Sequence, residues 1–287
     1  MLNYSHAAAN TINADLHCHT TASDGDLRPH ELVARAIDQS VDMLAITDHD
    51  NIDGYCEAIE ENYSNIRLVS GIELSAVWQG INIHIVGLNF IPALLQVAVS
   101  RQKKARQARA VKIARRLEKQ GIVNALFGAQ QFATSSIIGR PQFARYLVSA
   151  GLVTTEAEAF RKWLGAGKIG DVKTSWPTVP TVVADIINAG GQAVLAHPHH
   201  YKMTNRKLGN FLQQFKDCGG AGIEVCSSGM TKEKTDYFAT LCTKYNLFAS
   251  RGSDFHTPTN PWVELGRVAP IPAHLTPIWH AFSTNHS

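Results

Sequence analysis

The feature that most constrains this sequence is the return of histidine and acidic residues at the ends of short apolar segments. Six predicted strands in succession carry such residues at or beside their ends: His17 and His19, His49, Glu73, His84, His197, and Asp254 with His256. The carboxyl ends of parallel strands meet at one edge of an α/β sheet or barrel, and sites assemble there. Burying so many ionisable groups together would be costly, and bound cations remove that cost. The pattern therefore predicts a metal centre.

Apolar segments alternate with helical patterns in the first and last thirds of the chain. Strands are predicted at residues 12–17, 43–47, 68–75, 81–88, 193–197, 222–226 and 247–250. Helices are predicted from Pro29 and at 181–189, 205–217 and 232–245. Strands that alternate with helices predict an α/β fold with a largely parallel sheet, either a closed barrel or an open sheet.

The middle of the chain has a different pattern. A helix is predicted over residues 92–121, and it carries nine Lys or Arg between Arg101 and Lys119 with the single acid Glu118. Further helices are predicted at 141–150 and 155–164. We therefore assign 92–178 as a helical insertion that covers the substrate site, between barrel segments 11–91 and 179–287. The basic helix is either a solvated face or a contact for a polyanion.

The composition limits the class and the compartment. The 287 residues are 45% hydrophobic and 18% charged, which excludes extensive disorder, and the net charge of +3 does not by itself indicate nucleic acid. Five cysteines without a CxxC pair argue against a disulfide framework or zinc ribbon. The N-terminus lacks a secretory pattern, and no apolar run is long enough to span a bilayer. A cytoplasmic protein without a membrane segment is expected.

The ligand types narrow the choice of metal. A mixed set of imidazoles and carboxylates suits Zn, Mn or Fe better than Mg or Ca, and the lack of thiolates argues against a structural zinc. Taken singly, each of these residues could equally be a hydrogen-bonded polar side chain of the core. Their number and order favour the metal centre.

The motifs around these residues resemble those of the PHP (polymerase and histidinol phosphatase) family. They are Asp-Leu-His-Cys-His-Thr, Ala-Ser-Asp-Gly, Ile-Thr-Asp-His-Asp, Gly-Ile-Glu-Leu, Asn-Ile-His-Ile-Val-Gly, Leu-Ala-His-Pro and Gly-Ser-Asp-Phe-His. The resemblance covers nearly the whole chain. It implies a distorted (β/α)7 barrel of the TIM type with a helical insertion domain, and a centre of three divalent ions. Manganese is expected, with zinc or iron as alternatives.

The resemblance also implies a role for each ligand. The first metal would be held by His17, His19, Glu73 and Asp254. The second would share Glu73 and add His84 and His197, and the third would be held by Asp24, His49 and His256. Glu73, Asp254 and His197 are predicted to take part in catalysis. Asp15 and Asp48 are predicted to hold ligand imidazoles in one tautomer, with a turn or helix cap as the alternative.

Two segments of the insertion are similar to one branch of the family, the nucleoside 3′,5′-bisphosphate phosphatases that also act as 5′-to-3′ exoribonucleases. They are the stretch from Gly139 to Arg145 and the pair Gly167-Lys168. The resemblance implies hydrolysis of the 3′-phosphate of nucleoside 3′,5′-bisphosphates and trimming of short or 5′-phosphorylated RNA. Arg140 and Lys168 are predicted to contact substrate phosphate, and a structural salt bridge is the alternative for Arg140. The sequence departs from the branch at Gln142, His200 and Arg251.

Two other functions remain open at this point. A histidinol-phosphate phosphatase, or another phosphatase of small monoesters, would use the same metals without needing Arg140. A degenerate PHP module would bind nucleic acid without turnover, which the complete ligand set argues against. No obligate protein partner is evident in the sequence.

Overall fold

A seven-stranded sheet curls into a nearly closed barrel in the computed structural model, which describes residues 12–133, 137–172 and 176–283. The strands follow one another around the sheet in chain order: β1 (Ala14–Cys18), β2 (Met43–Ile46), β3 (Arg67–Trp78), β4 (Ile81–Leu88), β5 (Gln192–Leu195), β6 (Gly222–Ser227) and β7 (Phe248–Gly252). The segment after β7 returns to β1, where the amide of His19 donates to the carbonyl of Phe255 at 2.9 Å. The predicted fold class is confirmed. Residues 1–11, where the sequence shows no secretory pattern, lie outside the described ranges.

Helices cover the outside of this barrel and form the insertion. They are α1 (Pro29–Asp38), α2 (Asp53–Ala58), α3 (Pro92–Glu118), α4 (Ala125–Gln130), α5 (Arg140–Ser149), α6 (Glu156–Ala159), which continues as a π-helix (Phe160–Leu164), α7 (Val179–Asn188), α8 (Asn205–Asp217) and α9 (Lys232–Lys244). The side chains of Thr178, Thr204 and Thr231 accept hydrogen bonds from the first turns of α7, α8 and α9. These caps satisfy amides that have no partner within the helix, and so fix where each helix begins. No helix in the described ranges is both long and apolar enough to cross a membrane.

Strand β4 runs against its neighbours in an otherwise parallel sheet. It pairs antiparallel with both β3 and β5. The turn between β3 and β4 consists of Gln79 and Gly80, which both have positive φ, as a two-residue hairpin turn requires. Strand β2 pairs only with the first four residues of β3, so the rest of β3 runs on with β4 beyond the last residue of β2. Ser75, Asn82 and His84 of the resulting hairpin line a pocket beside the predicted metal ligands.

The molecule has separate apolar cores in its barrel and in its insertion. The first half of α3 packs into the barrel core through Leu95, Ala98 and Val99. From Ala110 onward the buried side chains of α3 join a different cluster, which reaches Val172 and includes Phe143 and Leu147. Helix α3 therefore passes from one core to the other, and the predicted boundary at residue 92 lies before that change.

Polar contacts hold the insertion above the carboxyl ends of the strands. The side-chain amide of Gln102 donates to the carbonyl of Ser75 at 2.7 Å, and the Arg106 guanidinium contacts Asp50 at 2.5 Å. Other cations of α3 and α5 pair with acids of the barrel layer: Arg101 with Asp185, Lys103 with Asp53, and Arg145 with Asp26. Several basic residues of α3 thus bind the insertion to the barrel, and others form a solvated face.

Candidate metal centre

Glu73 of β3 lies at the centre of the predicted ligands and is buried. Its Oε1 lies 2.8 Å from Nδ1 of His84 and 2.9 Å from Nε2 of His197. Its Oε2 lies 2.7 Å from Nδ1 of His49 and 3.5 Å from Nε2 of His19. Although burial raises the pKa of this carboxyl, the surrounding imidazoles outweigh it and hold the pKa well below its ordinary value. An ionised carboxylate is therefore stable here, between the histidines of several strands.

Two further carboxylates complete the cluster. Oδ1 of Asp254 lies 3.5 Å from Nε2 of His17 and 3.2 Å from Nε2 of His19. Asp24, in the loop after β1, lies 3.7 Å from Nε2 of His49 and 3.5 Å from Nε2 of His256. All nine residues predicted as ligands thus meet in one place, on the loops and strand ends at one mouth of the barrel.

The donor atoms of this cluster suit metal ions better than they suit one another. Buried atoms without a hydrogen-bond partner in the described structure include Nε2 of His17 and both ring nitrogens of His19. Nδ1 of His49 and Oε2 of Glu73 are 2.7 Å apart but do not have the geometry of a hydrogen bond. Buried polar atoms are normally paired, and unpaired ones call for an explanation. Three overlapping groups bring potential ligand atoms within 4.8 Å of one another: His19, Asp24, His49 and His256; His17, His19 and Glu73; and His49, Glu73 and His84. The residues fit divalent metals.

Glu224 of β6 holds two of these ligands, and the sequence analysis missed it. Its Oε1 lies 2.6 Å from Nδ1 of His17, and its Oε2 accepts from the amide of His197 at 2.5 Å. An ionised carboxylate only accepts, so the first contact places a proton on Nδ1 and leaves the Nε2 lone pair of His17 free for a metal. The second contact fixes His197 in a left-handed conformation with φ of 28°. An acidic residue inside an otherwise apolar strand was the available signal.

Asp15 and Asp48 accept hydrogen bonds from backbone and hydroxyl groups. They were predicted to contact the imidazoles of the ligands. Asp15 accepts from the amides of Ser253 and Gly266 at 2.8 and 2.9 Å. Asp48 accepts from the amide and hydroxyl of Thr20 and from the hydroxyl of Ser23. These carboxylates order the loops that carry Asp254 and Asp24, which agrees with the alternative of turn caps. Glu224 makes the imidazole contact that was expected of them.

A pocket of about 170 Å³ opens beside the predicted metal ligands, between the barrel and the insertion. Asp24, His49 and His84 line it from the barrel, and Arg106, Arg109 and Arg140 line it from the insertion. Burial, followed by the charges of Arg140 and Arg106, lowers the pKa of Arg109 to about 10. Three guanidinium groups thus converge on one cavity. Arg140 was predicted from the sequence as a substrate contact, whereas Arg106 and Arg109 were not.

The partners of the three arginines differ. Arg106 contacts the Asp50 carboxylate and lies over the Trp176 ring at 5.6 Å. Arg109 and Arg140 each bond a backbone carbonyl, of Val172 and Leu164 respectively. Among the described residues, no carboxylate lies within salt-bridge distance of these two, although the charge of the more distant Asp171 acts on both guanidinium groups.

Lys168 and the three departures from the family branch have separate positions. Lys168 is exposed in a turn of the insertion and is not among the residues that line the pocket. Gln142 accepts a hydrogen bond from the amide of Gly139 at 2.8 Å and so caps α5 beside the pocket. Arg251 is buried and donates to the carbonyls of Gly266 and Val268, which holds the segment after β7. His200 stacks on the ring of His197, with centroids 5.2 Å apart.

The barrel, the cluster of ligands and the cationic pocket together define a metal-dependent hydrolase. Residues 15–130 match the PHP domain. The chain is 44% identical to a 5′-3′ exoribonuclease of Haemophilus influenzae, over 95% of this chain and all of that protein. It is 36% identical to a 3′,5′-nucleoside bisphosphate phosphatase of Chromobacterium violaceum, over 93% of this chain and 95% of that protein.

A solved structure agrees with these relatives. An amidohydrolase from Chromobacterium violaceum, solved with bound sulfate and no metal, superposes with a TM-score of 0.87 at 36% identity. The match covers 94% of this chain and 95% of that one. The chain belongs to the PHP family, and it is an enzyme of the hydrolase class.

Proposed function

We propose that this enzyme hydrolyses the phosphate ester on the ribose 3′-oxygen of nucleoside 3′,5′-bisphosphates, releasing phosphate and a 5′-mononucleotide. We also propose that it removes 5′-mononucleotides from 5′-phosphorylated RNA in the 5′-to-3′ direction. The observation that carries this proposal is the pocket that joins the ligand cluster to three arginines. Such a site can hold one phosphate at the metals and a second phosphate at a distance. The relatives named above act on substrates of this kind.

The ligand cluster is proposed to hold three divalent ions, with manganese as the expected metal. His17, His19, Glu73 and Asp254 would hold the first ion. Glu73, His84 and His197 would hold the second, and Asp24, His49 and His256 the third. When bound, such ions lower the pKa of a water molecule and stabilise the charge that develops on the phosphate oxygens. The overlap of the ligand groups around Glu73 supports a shared carboxylate between neighbouring ions.

The insertion is proposed to bind the 5′-phosphate. Arg109 and Arg140 present guanidinium groups to the pocket, and guanidinium binds phosphate through two parallel hydrogen bonds. Helix α5 begins at the pocket with Gly139, Arg140, Pro141 and Gln142 among the lining residues. A helix N-terminus favours an anion, which adds to the positive charge of the arginines. Arg106 is anchored by Asp50 and positions the helix that carries Arg109.

The metals by themselves have little preference among phosphate esters. Binding of the 5′-phosphate away from the metals explains how the enzyme selects its substrate. A substrate with both phosphates fills the metal cluster and the arginine pocket together. A 3′-monophosphate fills only the first, and histidinol phosphate carries no second phosphate for the arginines. Glu224 keeps His17 and His197 oriented toward the same point during binding.

A substrate comparison tests the proposal. Purified, manganese-loaded protein is assayed with adenosine 3′,5′-bisphosphate, 5′-phosphorylated oligoribonucleotides, adenosine 3′-monophosphate and histidinol phosphate. The first two are expected to have the highest kcat/KM, and the product of both is a 5′-mononucleotide. A kcat/KM for histidinol phosphate that equals or exceeds that for the bisphosphate would refute the assignment.

A further inference from the structure

The arginine pocket borders only part of the ligand cluster. Among the described residues that line it are Asp24, His49 and His84, but not His197 or Asp254. The side at His197 is bordered by the short turn Pro198–His200. There the rings of His197 and His200 stack with an interplanar angle of 29°, and the rings of His199 and His200 lie 4.0 Å apart. A second surface therefore adjoins the metal ligands.

The chemistry of RNA requires a second surface of this kind. In a bisphosphate and in RNA, the bond that breaks joins phosphorus to the ribose 3′-oxygen of the first nucleotide. Water adds to phosphorus, the 3′-oxygen leaves with a proton, and in RNA the phosphate stays on the next nucleotide. When the first nucleotide fills the arginine pocket, the next nucleotide must leave the metals on another side. A free bisphosphate has no such nucleotide.

The surface at His200 has the character of a binding site for single-stranded RNA. His200 is exposed and His199 is partly buried, and the positive charge of Lys234 acts on both rings. A flat aromatic ring at the surface, such as that of His200, suits stacking with bases. Lys234 is exposed on the first turn of α9 and supplies a positive charge.

Unsatisfied polar atoms lie on the same two loops. Nδ1 of His199 and Oγ of Ser228 are buried without a hydrogen-bond partner in the described structure. His199 follows β5 and Ser228 follows β6, which are neighbours in the sheet. Buried polar atoms near a site are usually satisfied by protein, water or ligand. Both loops therefore carry a polar atom that has no hydrogen-bond partner among the described residues.

We propose that His199, His200 and Lys234 form the binding surface for the nucleotide on the 3′ side of the scissile phosphate in RNA. The ring of His200 packs against the base or ribose of this nucleotide, and Lys234 binds the backbone phosphate that follows. This inference rests on the exoribonuclease activity proposed above. The proposed surface distinguishes the two substrates, because RNA reaches it and the free bisphosphate does not.

The test compares RNA with the bisphosphate in the same variants. His200→Ala and Lys234→Ala are assayed on a 5′-phosphorylated trinucleotide and on adenosine 3′,5′-bisphosphate. Loss of a stacking contact is expected to lower the ratio of the RNA kcat/KM to the bisphosphate kcat/KM at least about fivefold in His200→Ala. In Lys234→Ala the ratio falls about threefold, and the dependence of log KM for RNA on log salt becomes shallower by about 0.7. Lys232→Ala is the matched control, since Lys232 is exposed on the same helix and pairs with Asp236.

Each outcome decides between the two proposals. A lower ratio in both variants, with Lys232→Ala at the wild-type ratio, supports the surface. Equal losses on both substrates would show that His200 only supports His197, and would overturn the inference. So would wild-type ratios in both variants, or a wild-type enzyme that hydrolyses the bisphosphate but not the trinucleotide. A wild-type enzyme inactive on both substrates would instead refute the proposed function.

Discussion

The barrel and the insertion build the two halves of the site by different means. In the barrel, ligands come from several strand ends and loops and surround a carboxylate, so opposite charges compensate one another. In the insertion, like charges converge, and the Asp171 carboxylate that acts on Arg109 and Arg140 lies beyond salt-bridge distance of both. A compensated cluster can act on any phosphate ester, whereas a pocket with an excess of positive charge selects for a second anion. We therefore expect barrel changes to affect all substrates and insertion changes to affect only some.

The largest effect is expected at the centre of the barrel half. Glu73→Gln keeps the shape but removes the charge that neighbouring cations would share, so kcat should fall by at least ~100-fold on every substrate. Bound metal, measured by elemental analysis, should fall in the same variant. The control is Glu60→Gln at an exposed position, which should match the wild type. Near-normal turnover of Glu73→Gln at saturating metal would remove Glu73 from the shared position.

The insertion half is tested with two substrates that differ by one phosphate. Arg140→Ala loses a charge-assisted hydrogen bond to phosphate, which is worth roughly 1.5–3 kcal/mol, or about 10- to 150-fold. We expect this loss in kcat/KM for adenosine 3′,5′-bisphosphate and almost none for adenosine 3′-monophosphate.

Arg161→Ala is the matched control for this experiment, because Arg161 lies in the insertion with its side chain 74% exposed. It should leave both substrates at the wild-type kcat/KM. Equal losses on the two substrates in Arg140→Ala would mean that Arg140 supports the fold or the phosphate at the metals. The contrast between the two halves of the site would then fail at this residue.

Substitution of Glu224, which positions ligands in the barrel half, should lower metal affinity more than it lowers the stability of the fold. Glu224→Gln replaces one of the two acceptor oxygens by an NH2 donor. The variant side chain therefore cannot accept from the His17 ring and the His197 amide at the same time. We expect metal affinity to fall about 10- to 100-fold, measured by calorimetric titration of the metal-free protein. The melting temperature of the metal-free variant reports any damage to the fold itself. Glu233→Gln, at an exposed position on α9, is the isosteric control. Unchanged metal affinity would contradict the positioning role.

The smallest effect is expected at Lys168. Its side chain is exposed and away from the lining of the pocket. Lys168→Ala should therefore change kcat/KM for the bisphosphate less than about twofold, in line with exposed substitutions that touch no feature of the site. A loss as large as that of Arg140→Ala would return Lys168 to the substrate contacts predicted from the family resemblance.

The barrel half could be predicted because its signal is periodic and local. Most of its strands combine a run of apolar residues with a polar residue near the end, so both the strand and the predicted ligand can be recognised together. Helix α8 is observed at Asn205–Asp217, as predicted, and Gly219 and Gly220 follow its end. The reversal of β4 was not predicted, because apolar alternation does not give the direction of a strand. The positive φ values of Gln79 and Gly80 decide it.

The residues that were missed share one cause, which is that their partners are distant in sequence. Glu224 is 207 residues from His17. Arg106 and Arg109 were counted within a basic helix, and a net charge does not show which cations face inward. Their spacing from Gln102 puts all three on the buried stripe of α3. Polar residues at apolar positions of a helix were the signal for this half of the pocket.

The segment between β4 and β5, which contains the insertion and α7, begins and ends at one point of the barrel. The amide of Ile91 donates to the carbonyl of Ala189 at 2.8 Å, and Leu88 at the end of β4 pairs with Gln192 at the start of β5. Adjacent antiparallel strands can be joined by a very short connection. The pairing of β4 with β5 therefore does not require a segment of any particular length between the two strands. Recombination that exchanges the insertion and keeps α7 would preserve the hydrolytic centre while supplying a different recognition element. Members of one lineage could in this way diverge in substrate without evolving a new catalyst.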